Sequence, residues 1–194
     1  LLNSCMKILL IGGCGYVGSA LGNYLQKDHE ITNVDLEWFG NYSTGQSINV
    51  DYKHLTESFL EQFNVVILTA GHSSVKMCDT DLQSSFYNNV LNFVNLTKKL
   101  TTQKFIYASS ASVYGNTSAS EIAEDNVNFS PINYYDMTKL HIDHIIQLSN
   151  LDYYGLRFGT VNGPAPSIRT DVMINAMVNT AKQKGEIHVF NKDT

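Results

Sequence analysis

At 194 residues, with 43% hydrophobic residues and 13 glycines, the chain has the length and apolar content of one globular domain with a sizeable core, which excludes a disordered chain. A formal charge of -5, with no run of Lys or Arg, excludes a nucleic-acid-binding face, and no apolar stretch is long enough to span a membrane. The three cysteines, Cys5, Cys14 and Cys78, are odd in number, widely spaced and without a CxxC; they indicate neither a disulfide framework nor a zinc site, and fit a reducing cytoplasm.

The first element is KILLIG at 7–12, a strand. The stretch MKILLIGGC superficially has the layout of a lipoprotein signal, but its apolar run is too short and the glycine pattern continues past the cysteine. Met6 reads as an initiator, with residues 1–5 an upstream extension. Helical periodicity at 17–27 is followed by strands ITNVD (31–35) and SINVD (47–51), a helix at 55–63 and the strand NVVILTAG (64–71). A single long amphipathic helix is expected over 79–100. Then come KFIYASS (104–110), a polar loop at 116–130, a helix at 134–148 and the strand LDYYGLRFG (151–159). After the breaker GPAP, a helix is expected at 171–184 and a strand at IHVF (187–190). Short buried strands alternating with helices imply βαβ units and an α/β fold with a parallel sheet. With a strand just begun and no terminal helix, the chain reads as an N-terminal portion of something longer.

Two groups of residues carry chemistry. Gly12-Gly13-Cys14-Gly15-Tyr16-Val17-Gly18 satisfies GxxGxxG and, from Gly13, GxGxxG, between a strand and a helix. Glycine there lets the backbone turn tightly and approach a pyrophosphate seated on the helix N-terminus. Asp35 closes the second strand, placed to accept hydrogen bonds from a ribose diol and to repel a 2′-phosphate, so NAD is preferred over NADP. In the second group, Tyr135 and Lys139 lie four apart in NYYDMTKL and share a helix face. Bringing a phenol from about 10 to near 7 takes roughly 4 kcal/mol, much of which a fixed cation can supply. Taken alone, such a pair is ordinarily a surface pair.

Through GGCGYVG, VDYKH, LTAGHSSV, FYNNV, YASSASVYG, YYDMTK and LRFGTVNGP, the chain resembles the extended short-chain dehydrogenase/reductase superfamily, in its NAD-dependent nucleotide-sugar epimerase/dehydratase branch, over essentially its whole length. The resemblance implies a Rossmann-type doubly wound parallel sheet over 1–163 holding NAD and the catalytic residues, with the start of a smaller substrate-binding region at 164–194. It further implies that Tyr135 is the base, that Lys139 lowers its pKa and binds the nicotinamide ribose, and that Ser110, or failing it Ser109, hydrogen-bonds the reacting oxygen. Asp51 and Tyr52 match positions near the adenine, Ala70 and Gly71 the strand end that passes the cofactor, and Asn89 the asparagine that organises the site. His72 is a candidate substrate contact, as are Arg169 and Asn175. A homodimer through the 79–100 and 134–148 helices is also implied, although Phe86, Val90, Phe93 and Val94 suit a core against the sheet equally well.

Departures from the pattern narrow the reaction. The acidic residues that serve 4,6-dehydration are replaced by Ala111 and Ser112, which disfavours a dehydratase. Thr160 stands where an asparagine ordinarily contacts the nucleotide sugar, and Asn162 replaces a tyrosine, leaving the sugar open. An epimerase on a nucleotide-diphosphate sugar is the expectation; a sugar or carbonyl reductase and an inactive NAD-binding module are the alternatives. His141 and His144 flank Asp143 as a conceivable metal pair, but no third ligand accompanies them.

Overall fold

The computed structural model describes residues 5–116, 124, 129–187 and 189. Much of the expected polar loop at 116–130, and His188 and Phe190 of the expected terminal strand, lie outside the described residues.

Six parallel strands form one sheet in the order β3-β2-β1-β4-β5-β6: β1 (Lys7–Ile11), β2 (Glu30–Asp35), β3 (Gln46–Asn49), β4 (Val65–Leu68), β5 (Lys104–Ser110) and β6 (Tyr153–Phe158). This is the doubly wound Rossmann order expected of the sequence, with its reversal point between β1 and β4. The central strands read as continuous apolar runs because both faces are covered. In β1, Leu9 and Ile11 join a large cluster with Val34, Val66, Phe93 and Phe105, while Ile8 and Leu10 pack on the other face with Ile31, Val65 and Ile67.

Helix α1 (Tyr16–Leu25) follows β1 and lends Leu21 and Leu25 to the smaller cluster. The short α2 (Glu57–Leu60) precedes β4, and α6 (Tyr134–Ile146) packs Ile142 and Ile146 into the larger cluster. Helix α7 (Met173–Lys184) follows β6 and ends at Gly185 in the left-handed conformation.

The helix expected as one piece over 79–100 is divided. Helix α3 (Val75–Thr80) begins earlier, capped by the Ser74 hydroxyl on Met77 N, and the chain breaks at Asp81, whose carboxylate caps α4 (Leu82–Phe86) through Ser84 N at 2.9 Å. Side chains that bond their own backbone compete with helix continuation. A π-helical turn, Tyr87–Leu91, then joins α4 to α5 (Asn92–Thr97). Among the described residues, no helix is long and apolar enough to cross a membrane.

Candidate active site

Strand β1 delivers the glycine-rich turn to the C-terminal edge of the sheet. Gly12 has φ 92°, and a Cβ there would sit 2.4 Å from Ala70 N; a Cβ on Gly18 would sit 2.0 Å from Gly12 O. These two glycines let α1 start hard against the strand end. Gly15 is its N-cap and supplies no side-chain acceptor, so the amides of the first turn are left for an anion, which the helix dipole also favours.

Asp35 borders the turn. Its Oδ2 accepts from Cys14 N at 3.0 Å and its Oδ1 from Glu37 N at 2.7 Å, tying the loop to the end of β2. Between these elements and the end of β4 lies a cavity of about 630 Å³, within the size range of small-molecule sites. Gly12, Gly15, Tyr16, Val17, Gly18, Asp35, Tyr52, Ala70 and Gly71, all expected at a cofactor, line it. An uncapped helix start, a close-packed glycine turn and a carboxylate at the far edge fit a dinucleotide.

Other expected residues fall elsewhere. Asp51 does not line the cavity; it caps the short turn Tyr52–His54 and pairs with Lys53 at 3.0 Å. Tyr52 reaches the cavity wall but is buried, its hydroxyl bonded to the Asn88 carbonyl, and burial pushes its phenol up. Asn89 sits behind the wall: its Oδ1 accepts from His72 N at 2.8 Å, and its Nδ2 donates to His72 O and Thr138 Oγ1, both at 3.1 Å. The π-helical turn turns this side chain inward. His72 is also buried, its ring against Trp38 and near Ser84 and Asn88, and burial holds its pKa down. Thr160 is exposed and away from the cavity, with its carbonyl accepting from Asn162.

Ser110, Tyr135 and Lys139 form a separate cluster beside the cavity, which they do not line. Ser110 ends β5 and bonds Ser112, with Oγ to Oγ 2.8 Å, and its hydroxyl also stabilises the Tyr135 phenolate. Ser109, on the opposite side of the strand, is buried, and its hydroxyl has no hydrogen-bond partner among the described residues. Helix α6 begins at the Asn133 cap, leaving Tyr134 half-exposed and turning Tyr135 inward. Burial pushes the Tyr135 phenol up, while Ser110 and the charge of Arg169 oppose it. Lys139 Nζ lies 5.8 Å from the Tyr135 ring centre and donates to Ala108 O at 2.7 Å. In this geometry Ser110 and the charge of Arg169 favour the phenolate. Burial pulls Lys139 itself down to about 8, with Asp143 the main opposing charge.

Asp143 was not legible as part of this cluster. It lies one turn beyond Lys139, bonded by Tyr107 Oη at 2.9 Å and ion-paired with Arg157 Nε at 2.8 Å. Its spacing of eight residues from Tyr135, on the same helix face, was the available signal. His141 and His144 turn instead toward Phe86 and Phe129, and among the described residues no group of three His, Cys, Asp or Glu is placed to hold a metal. Asn175 does not line the cavity either. Its amide donates to Tyr16 Oη and Arg169 O, both at 2.9 Å, and accepts from Gly163 N at 3.1 Å.

Comparison with known proteins agrees with this fold. The chain is 32% identical to protein CapI of Staphylococcus aureus over 90% of its own length and 60% of that protein's. It is 30% identical to a UDP-glucose 4-epimerase of Corynebacterium glutamicum over 73% of its length and 46% of that protein's. The solved UDP-glucose 4-epimerase of Thermus thermophilus, in complex with NAD, superposes with a TM-score of 0.78 at 25% identity, covering 92% of this chain and 62% of that one. The chain thus spans about half to two-thirds of the length of these proteins. The model of the NAD dependent epimerase/dehydratase family matches residues 8–194, and the chain belongs to that family.

Proposed function

We propose that this chain is the cofactor-binding and catalytic part of an NAD-dependent epimerase acting on a nucleoside-diphosphate sugar. The observation that carries this reading is Tyr135 on α6 with the Lys139 ammonium 5.8 Å from its ring and Ser110 at the end of β5, next to a cavity whose lining fits a dinucleotide. When bound, NAD accepts a hydride from a carbinol carbon and returns it.

In this mechanism Tyr135 takes the hydroxyl proton as the carbonyl forms and gives it back afterwards. Ser110 donates a hydrogen bond to the same oxygen and holds it against the phenol. The buried ammonium of Lys139 adds positive charge behind Tyr135 and is available to a ribose hydroxyl. The close packing at Gly12 and Gly18 leaves the free first-turn amides of α1 to hold the pyrophosphate, and Asp35 would face the adenosine ribose and reject a 2′-phosphate. Ala111 and Ser112, which follow Ser110 without an acidic group, keep the chemistry to oxidation and reduction at one carbon rather than loss of water. The curated relatives and solved neighbours that act on UDP-sugars support the substrate class. Tyr52, Ala70 and Gly71 complete the cofactor side, with Asn89 acting through the His72 backbone, and Arg169 adds a basic group to the cavity wall. We place the protein in a reducing cytoplasm, where its free thiols persist.

The test is Tyr135→Phe in the protein carrying this chain, assayed by interconversion of UDP-glucose and UDP-galactose. Turnover should fall by about 10²–10⁴, the usual contribution of a positioned proton-transfer group, while NADH still binds. Turnover that survives the substitution would overturn the mechanism. Net NADH accumulation with a sugar substrate would instead establish a dehydrogenase.

A further inference from the structure

The segment between β6 and α7 crosses the cavity mouth and is fastened on both rims. On the α1 side, Tyr16 Oη donates to Gly163 O at 2.7 Å and Ser167 N donates to Ser19 Oγ at 3.3 Å. On the opposite rim, Arg169 Nη1 donates to Ser73 O at 3.2 Å and Ser73 Oγ at 3.1 Å, while its Nε and Nη2 hold Asp171. Residues 166–171 thereby form a wall of the cavity. Behind them, Asn175 is 8% exposed in the first turn of α7, and its three hydrogen bonds run to Gly163, Arg169 and Tyr16. One amide joins both ends of the strap to the aromatic residue that follows the glycine turn.

We propose that Asn175 is a positioning residue that latches this strap, through the Tyr16 hydroxyl, over a bound dinucleotide and sets how long the cofactor stays. The inference rests on the NAD site proposed above and extends it. A dinucleotide lying on the amides of α1 and enclosed by residues 166–171 cannot leave until the strap lifts, and lifting breaks the Tyr16–Gly163 and Tyr16–Asn175 bonds together. Asn175 has no spare donor for a ligand, since both amide hydrogens are spent inside the latch. A latched cofactor is what a reaction with no net redox requires, because the hydride must return to the carbon that gave it.

The experiment measures NADH release from the protein carrying this chain by stopped-flow fluorescence, with excess NAD as competitor, for the parent, Tyr16→Phe, Asn175→Ala and the double variant. Each single variant should raise the dissociation rate about tenfold, equivalent to about 1.4 kcal/mol, and change the association rate less than twofold. The double variant should release no faster than the quicker single, because both substitutions open the same latch. Tyr16→Phe keeps the ring, so it carries the test if Asn175→Ala fails to fold. Release at the parental rate in Tyr16→Phe, or rates that multiply in the double variant, would overturn the latch and leave the cofactor reading standing. A parent chain that binds no NADH would remove both.

Discussion

The Lys139 ammonium is buried and hydrogen-bonded to a backbone carbonyl, Ala108 O, and its drop from 10.5 to about 8 corresponds to roughly 3 kcal/mol of unfavourable burial when charged. Between pH 8 and 10.5 the unfolded chain holds a proton that the folded chain has lost, so this residue's contribution to stability rises with pH across that window. Below pH 8 both states are protonated and the cost is complete. Lys139→Met should therefore stabilise the protein at pH 7 by about 2 kcal/mol, after about 1 kcal/mol for the lost hydrogen bond, and the gain should shrink toward pH 10. Urea unfolding at the two pH values measures it, and a less stable variant at pH 7 would contradict it. A lysine four residues after a tyrosine is visible in the sequence; that it is buried, and bonded to a carbonyl rather than to the phenol, is not. Likewise the resemblance favours Ser110 with Ser109 as the fallback, and the strand's alternation turns Ser110 to Tyr135 and leaves Ser109 facing away.

At the scale of elements, apolar periodicity located the six described strands well, because each central strand is apolar on both faces. It failed on the helices after β4. Heptad-like spacing of Phe86, Val90, Phe93 and Val94 suggested one long helix, but periodicity does not register the local competition at Asp81, whose φ of -142° and ψ of 86° lie outside the helical region. Asp81→Ala should cost about 1 kcal/mol through loss of the α4 cap, read as a lowered urea midpoint. Asp81 also opposes the lowering of the His72 pKa, so the same variant should let that pKa fall further, read by imidazole proton shifts. The π-helical turn was equally hidden: the extra residue rotates Asn89 into the wall, where His72 and Thr138 satisfy its amide. Phe93 resolves to core, fully buried against Phe105 and Tyr107, whereas Phe86 is exposed.

For the whole molecule, the face carrying Leu82, Phe86, Tyr87 and Leu91 on the α4–α5 stretch and Tyr134 and Met137 on α6 leaves large apolar groups exposed. We propose that a second copy covers it. Sedimentation at micromolar concentration should show a dimer and Phe86→Glu a monomer with an unchanged fold; a monomeric parent would refute the assignment. By itself, the sequence determined the α/β class, the strand run, the glycine turn and the Tyr135–Lys139 pair, because period, turn chemistry and helix spacing are local properties written in neighbouring residues. Only the tertiary structure decided that Asp143 and Arg157 stand behind Lys139, that His72 and Thr160 lie off the cavity, and that Asn175 joins the segment after β6 to a tyrosine 159 residues earlier. Those contacts depend on strand order and on which way a side chain turns, and no local pattern encodes either.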